Sequence, residues 1–208
     1  MSNTKTVSIN TVINFTVLAI FALAVVTGLL WAEGAAENYR LLTGLDVYFN
    51  AVLTGHRPPD LFEYFLRRIL IYGLTMVTVW ALAFVPVVSF LAFGILFLRV
   101  LALTFTTALF WQISGTEGLI HAAALFGAQN LLWLPVFLIV VSAALRQAAG
   151  QIRARLIMGG YKSKAAAMRL KIKTGMDYGS YLLLGMLASV FAALTETWIT
   201  PVLVRVLL

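Results

Sequence analysis

The chain has 208 residues, of which 62% are hydrophobic and 11% charged, and its mean hydropathy is +0.96. That composition excludes a soluble globular domain and points to an integral membrane protein in a single membrane domain. The net charge of +7 would suggest acidic partners in a soluble chain, but eight Lys and Arg fall between Arg146 and Lys173 with no acid among them. The remainder is slightly acidic, so the charge is an orientation signal and no nucleic-acid partner is expected. The absence of Cys removes disulfides, thiolate catalysis and the usual zinc sites.

A bilayer span needs roughly 20 apolar residues. The first is predicted over 11–32, preceded by Lys5 and closed by Glu33. A cleaved signal peptide, with Ala32, Glu33 and Gly34 as a small-x-small pattern, is the competing reading, although the run exceeds a signal core of about 7–15 residues. Residues 33–60 follow as an extracytoplasmic loop. In it Leu41, Leu45, Tyr48, Phe49, Val52 and Leu53 recur at helical spacing, with Asn38, Asp46 and Asn50 opposite. This pattern predicts an amphipathic helix on the outer membrane surface. Leu45, Tyr48, Phe49 and Asn50 are its candidate docking residues for an extracytoplasmic partner.

The turn Arg57, Pro58, Pro59, Asp60 places Asp60 as an N-cap with Glu63 in capping-box register. The second span is predicted over 61–88, with Pro86 supplying a bend or an end. Arg67 and Arg68 lie at its outer end against the charge bias. Glu63 offers Arg67 an i, i+4 partner, and both Arg can snorkel to headgroups. The third span, 96–114, carries Arg99 near its inner end. After the turn Gly115, Thr116, Glu117, Gly118 comes a fourth over 119–145, then a cytoplasmic basic loop over 146–177 and a fifth span over 178–197. The predicted fold is therefore an all-α bundle of five transmembrane helices with an extracytoplasmic amphipathic helix between the first two. Counting Lys and Arg puts the N-terminus in the cytoplasm and the C-terminus outside.

The chemistry expected is sparse. His56 and His121 lie in separate loops with no ligand spacing around either, and no phosphate-binding glycine loop occurs. No catalytic residue, cofactor or metal site is assigned, and an enzymatic role is not expected. Polar groups in the spans are costly enough in lipid to ask for partners. Gln129 and Asn130 in the fourth span suit interhelical hydrogen bonds or a polar path. Glu196, five residues before Pro201, suits an interfacial position or pairing with an Arg. Arg99, Gln129, Asn130, Pro135, Glu196 and Pro201 form the candidate set for interhelical or partner contacts. Small residues four apart, Ala123 with Gly127, Ala124 with Ala128 and Gly185 with Ser189, permit close helix approach. A homodimer would use the same pattern, so oligomeric state stays open. The basic loop suits orientation and contact with anionic membrane lipids.

Four stretches resemble the stage II sporulation protein M family of bacterial membrane proteins. They are Tyr48, Phe49, Asn50 ahead of the second span; Phe97, Leu98, Arg99, Val100 at the third; Gln129, Asn130, Leu131, Leu132 with Pro135 in the fourth; and Glu196 with Thr200, Pro201 at the end. The fourth-span stretch is the most specific. There the sporulation branch has a Pro before Gln-Asn and this chain has Ala128, which leaves a kink at that point open. The resemblance implies an integral-membrane member of the engulfment machinery in the mother-cell membrane. Its partners would be sporulation proteins D and P, which degrade peptidoglycan, and it would itself be no hydrolase. The alternative is a membrane subunit of a transporter or permease working with a separate ATPase. Its expected signature, inverted repeats with interrupted helices, is not evident beyond Pro86 and Pro135. A lipid-organising protein acting through the basic loop is a third reading that rests on composition.

Overall fold

The computed structural model of the chain describes residues 9–36, 60–158 and 164–207, with the backbone alone at 36, 153–158, 164–177, 205 and 207. All the regular structure in these residues is helical. The elements are α1 (Ile9–Ala36), α2 (Leu61–Leu82), α3 (Leu91–Ala122), a π-helical turn π1 (Ala123–Gly127), α4 (Ala128–Met158), α5 (Lys164–Leu194), a second π turn π2 (Thr195–Ile199) and α6 (Thr200–Leu207). Among the described residues four helical runs are long and apolar enough to cross a membrane: Ile9–Ala35, Leu61–Leu82, Leu91–Ile152 and Tyr178–Val204. That is the architecture of a multi-pass membrane protein.

The ends of α2 follow from local chemistry. Asp60 is the N-cap, and its Oδ1 accepts from the backbone N–H of Phe62 at 2.9 Å and of Glu63 at 3.2 Å, satisfying two of the orphan donors of the first turn. At the other end the helix proper stops at Leu82, short of Val88. Pro86 has no N–H for the Leu82 carbonyl and its ring would crowd it, so that carbonyl accepts from Val85 N–H at 3.2 Å instead. Two more carbonyls of this end accept bonds from other helices, that of Trp80 in addition to the Ala83 N–H at 3.3 Å. Tyr178 donates its hydroxyl to Trp80 O at 3.0 Å and Gln151 donates Nε2 to Ala83 O at 3.1 Å, while the Trp80 and Tyr178 rings stack with centroids 5.7 Å apart.

The run from Leu91 to Ile152 is not straight. Gly115 has φ 58° and ψ −131°, a conformation open to glycine and strained for other residues. A Cβ on Gly118 would overlap the backbone carbonyl of Phe110. In a continuous helix residues eight apart are about 12 Å distant, so the chain doubles back at Gly115. The Phe110 and Phe126 rings meet edge to face at 5.9 Å across the fold-back.

α1 packs along α3, and α5 packs between α2 and α4. Lipid offers no hydrophobic drive for helix pairing, so close fit carries it. Gly28 supplies that fit on α1, where a Cβ would stand 2.9 Å from Thr104 Cβ and 3.1 Å from Leu101 O. On α5, Gly185 receives Met76 of α2, and Gly73 of α2 receives Met186. Ser189 is fully buried and turns its hydroxyl back to Gly185 O at 2.8 Å. Of the other small pairs, Ala124 is buried while Ala123 and Gly127 face outward. Val17, Met76, Leu96, Trp133, Phe137 and Val140 form the centre of the core. Phe15, Leu70, Leu98 and Leu131 stand outward, as a lipid-facing surface requires.

The basic segment 146–177 is largely helical rather than an open loop, because α4 runs on to Met158 and α5 begins at Lys164.

Candidate functional site

One stripe of α2 carries Tyr64, Arg68 and Tyr72, spaced four residues apart and so stacked on one face. π2 brings Glu196 against that stripe. Tyr64 donates its hydroxyl to Glu196 Oε1 at 2.9 Å and accepts from Arg68 Nη2 at 2.8 Å. Arg68 Nη2 also reaches Glu196 Oε1 directly at 2.9 Å, and Tyr72 donates its hydroxyl to Oε2 at 2.8 Å. Both carboxylate oxygens are thus held by charge-assisted or hydroxyl bonds, the arrangement that offsets the desolvation of a charge in the bundle. The exposures differ, 33% for the Arg68 side chain against 10% for Glu196, so Arg68 reaches the surface while the acid is enclosed.

Tyr72 links this pair to a second cation. The Arg99 guanidinium carbon lies 5.3 Å from the Tyr72 ring centroid and 5.0 Å from that of Trp133, within cation–π range of both. The two rings are 5.4 Å apart, and Trp133 stacks in turn on Phe137 at 4.7 Å. Because α3 starts at Leu91, Arg99 sits about 12 Å into its helix, opposite the middle of α2, rather than near the inner end of a span. Its charge rests on aromatic faces; among the described residues no carboxylate pairs with it.

The π turns account for the backbone around the site. In π2, Thr200 N–H bonds to Thr195 O, five residues back. Pro201 next in line lacks an N–H and would crowd the Thr197 carbonyl in an α turn, and the wider turn relieves this. In π1 the Asn130 amide donates to Phe126 O at 2.8 Å, so Asn130 serves a carbonyl of its own helix and not a neighbouring one. Gln129 is buried, with no hydrogen-bond partner for Oε1; Trp133 Nε1, Thr197 Oγ1 and Thr200 Oγ1 are likewise buried and unpartnered among the described residues. Pro135 lies inside α4 with an exposed side chain.

The structure therefore gathers Arg99 and Glu196 at one site through Tyr72, holds Gln129 one helical turn from Trp133, and leaves Pro135 outside it. Pro201 shapes π2 without taking part. Sequence reasoning missed Tyr64, Tyr72 and Trp133 and gave Arg68 only a reach to the headgroups, although the i, i+4, i+8 spacing of Tyr64, Arg68 and Tyr72 along one helix face was readable. Arg67, expected to pair with Glu63, is exposed, and the ion pair among the described residues joins its neighbour Arg68 to Glu196. Leu45, Tyr48, Phe49, Asn50 and His56 lie outside the described residues. Among the described residues no three His, Cys, Asp or Glu side chains cluster as a metal would need. No family model, no curated protein and no solved structure matches this chain.

Proposed function

We propose that the chain is a non-catalytic membrane scaffold of the sporulation engulfment machinery. In this reading it anchors the peptidoglycan-degrading sporulation proteins D and P at the outer face of the mother-cell membrane for septal wall thinning and membrane migration. The observation that carries the reading is the clamp of Glu196 on Tyr64, Arg68 and Tyr72. It binds the first three turns of α2 to the far end of the chain, and α2 is the helix that emerges from the segment 33–60. Trp198 adds an edge-to-face contact with Phe65 at 5.0 Å. A docking segment needs a rigid base of that kind. The resemblance supports it too, since Asn130, Glu196 and Pro201, which carry the likeness, build π1, the clamp and π2.

The topology that accompanies this reading has five spans. The run Leu91–Ile152 has 62 residues, about 93 Å if straight against a hydrocarbon core of about 30 Å, and the reversal at Gly115 divides it into two passes. The basic segment then lies in the cytoplasm with the N-terminus, and the segment 33–60 lies outside with the C-terminus.

Deleting the gene in its host is expected to arrest engulfment under the microscope, and normal engulfment removes the reading. Pull-down of the two hydrolases tests the dock: deletion of residues 37–54 is expected to abolish recovery, and full recovery places the dock elsewhere. The transporter-subunit reading is favoured by one observation, the half-buried Arg99 cation lying against the Tyr72 and Trp133 rings, with no carboxylate paired to it among the described residues. Co-purification of an ATPase with the intact chain would select it.

A further inference from the structure

At the end of the bundle where α1 begins and the basic segment starts, a crevice of about 270 Å³ opens between three helices. It is lined by Asn10 of α1, by Ala143, Arg146, Gln147 and Gly150 of α4, and by Tyr178 and Tyr181 of α5. The Arg146 Nε donates to Ser142 O at 3.2 Å, which fixes the guanidinium plane and leaves the two terminal nitrogens without a partner among the described residues. Tyr178 is a wall, its hydroxyl committed to Trp80 O. Asn10, Gln147 and Tyr181 add neutral hydrogen-bond donors, and among the described residues no carboxylate lines the space. A Cβ on Gly150 would meet nothing within 4 Å, so the crevice is open on that side.

We infer that this crevice binds a phosphate group, carried by the headgroup of an anionic membrane lipid. A half-buried guanidinium with two free forks, amide donors beside it and no competing acid is the chemistry that a phosphate diester satisfies. The position at the edge of the apolar runs, where the helices pass into the basic segment, is the depth of a headgroup. The inference stands apart from the scaffold reading, since it needs only that the helices cross a membrane.

The test uses the full chain purified with mixed phosphatidylglycerol and phosphatidylcholine, with native mass spectrometry counting the lipids retained. R146Q and G150L, the second filling the crevice without removing charge, are each expected to lower phosphatidylglycerol retention about tenfold, as for loss of one charge-assisted contact. K162Q/K164Q, which removes more charge from the basic segment and leaves every lining residue named above in place, is expected to change it less than about twofold. Equal loss in K162Q/K164Q, or full retention in G150L, would overturn the site in favour of diffuse attraction. Unchanged retention in R146Q would also overturn it, and would assign Arg146 to a structural role within the bundle. Displacement of the lipid by millimolar inorganic phosphate would overturn the lipid source and assign the crevice to free phosphate.

Discussion

Arg68 and Glu196 meet at 2.9 Å from elements far apart in the chain, and the Tyr64 hydroxyl bridges the same two groups. Because the carboxylate is enclosed and the guanidinium is a third exposed, the costs of breaking the pair from either side are unequal. Glu196→Ala leaves Arg68 a route to the headgroups and costs about 2–3 kcal/mol. Arg68→Ala strands the enclosed carboxylate and costs more, at about 3–5 kcal/mol. Unfolding of the purified chain in mixed micelles measures both, and a larger loss for E196A would contradict the assigned burial.

Tyr72 uses its two ends differently. Tyr72→Phe removes the bond to Glu196 but keeps the ring under Arg99, and is expected to cost about 1.5–3 kcal/mol. Tyr72→Leu loses the ring as well, adding about 0.5–2 kcal/mol. A double-mutant cycle between Tyr72→Leu and Arg99→Met should show coupling, whereas Tyr72→Phe with Arg99→Met should show almost none. Strong coupling in the second cycle would mean that Arg99 is felt through the hydroxyl rather than the ring.

Gly28 and Gly94 make a controlled pair. Gly28→Ala places a methyl 2.9 Å from Thr104 Cβ and should force α1 off α3 at a cost of about 1–3 kcal/mol. Gly94→Ala meets nothing within 4 Å and should stabilise its helix by up to about 1 kcal/mol. Disulfide trapping between cysteines introduced on α1 and α3 should slow in the first variant only; equal rates would show that the contact gives way without cost.

The proline after π2 offers a test of why the turn is wide. Pro201→Ala restores an N–H and removes the crowding of the Thr197 carbonyl. With the turn free to tighten, Glu196 should rotate away from α2. The cost of Arg68→Ala measured in a Pro201→Ala background should then fall by about half or more, following the rule that coupled sites are not additive. An unchanged cost would assign π2 to packing around Thr197 instead.

Membrane residence and the all-helical fold were legible because composition and run length decide them, and the Asp60 cap was legible because its partners lie two and three residues away. The reversal at Gly115 was also marked locally, by two glycines flanking Thr116 and Glu117. The clamp was harder. An Arg was one of two readings for Glu196, the other being an interfacial position, but which Arg depends on how α5 is rotated against α2, and one extra residue in π2 resets that rotation. Arg99 was placed too shallow for a related reason: its helix gains a turn before Leu96 that hydropathy did not delimit. Asn130 was assigned to a neighbour helix because a π turn, which frees a carbonyl nearby, leaves no mark in the hydrophobic pattern.

The fold-back at Gly115 has a consequence for what can reach the interior. With Gly118 lying directly on the Phe110 carbonyl, no side-chain volume separates the two strands of helix at that tip. Neither an acyl chain nor a foreign helix can be wedged between them there. The two helices are closed against each other at that tip, and any visitor from within the membrane has to come in along a different seam.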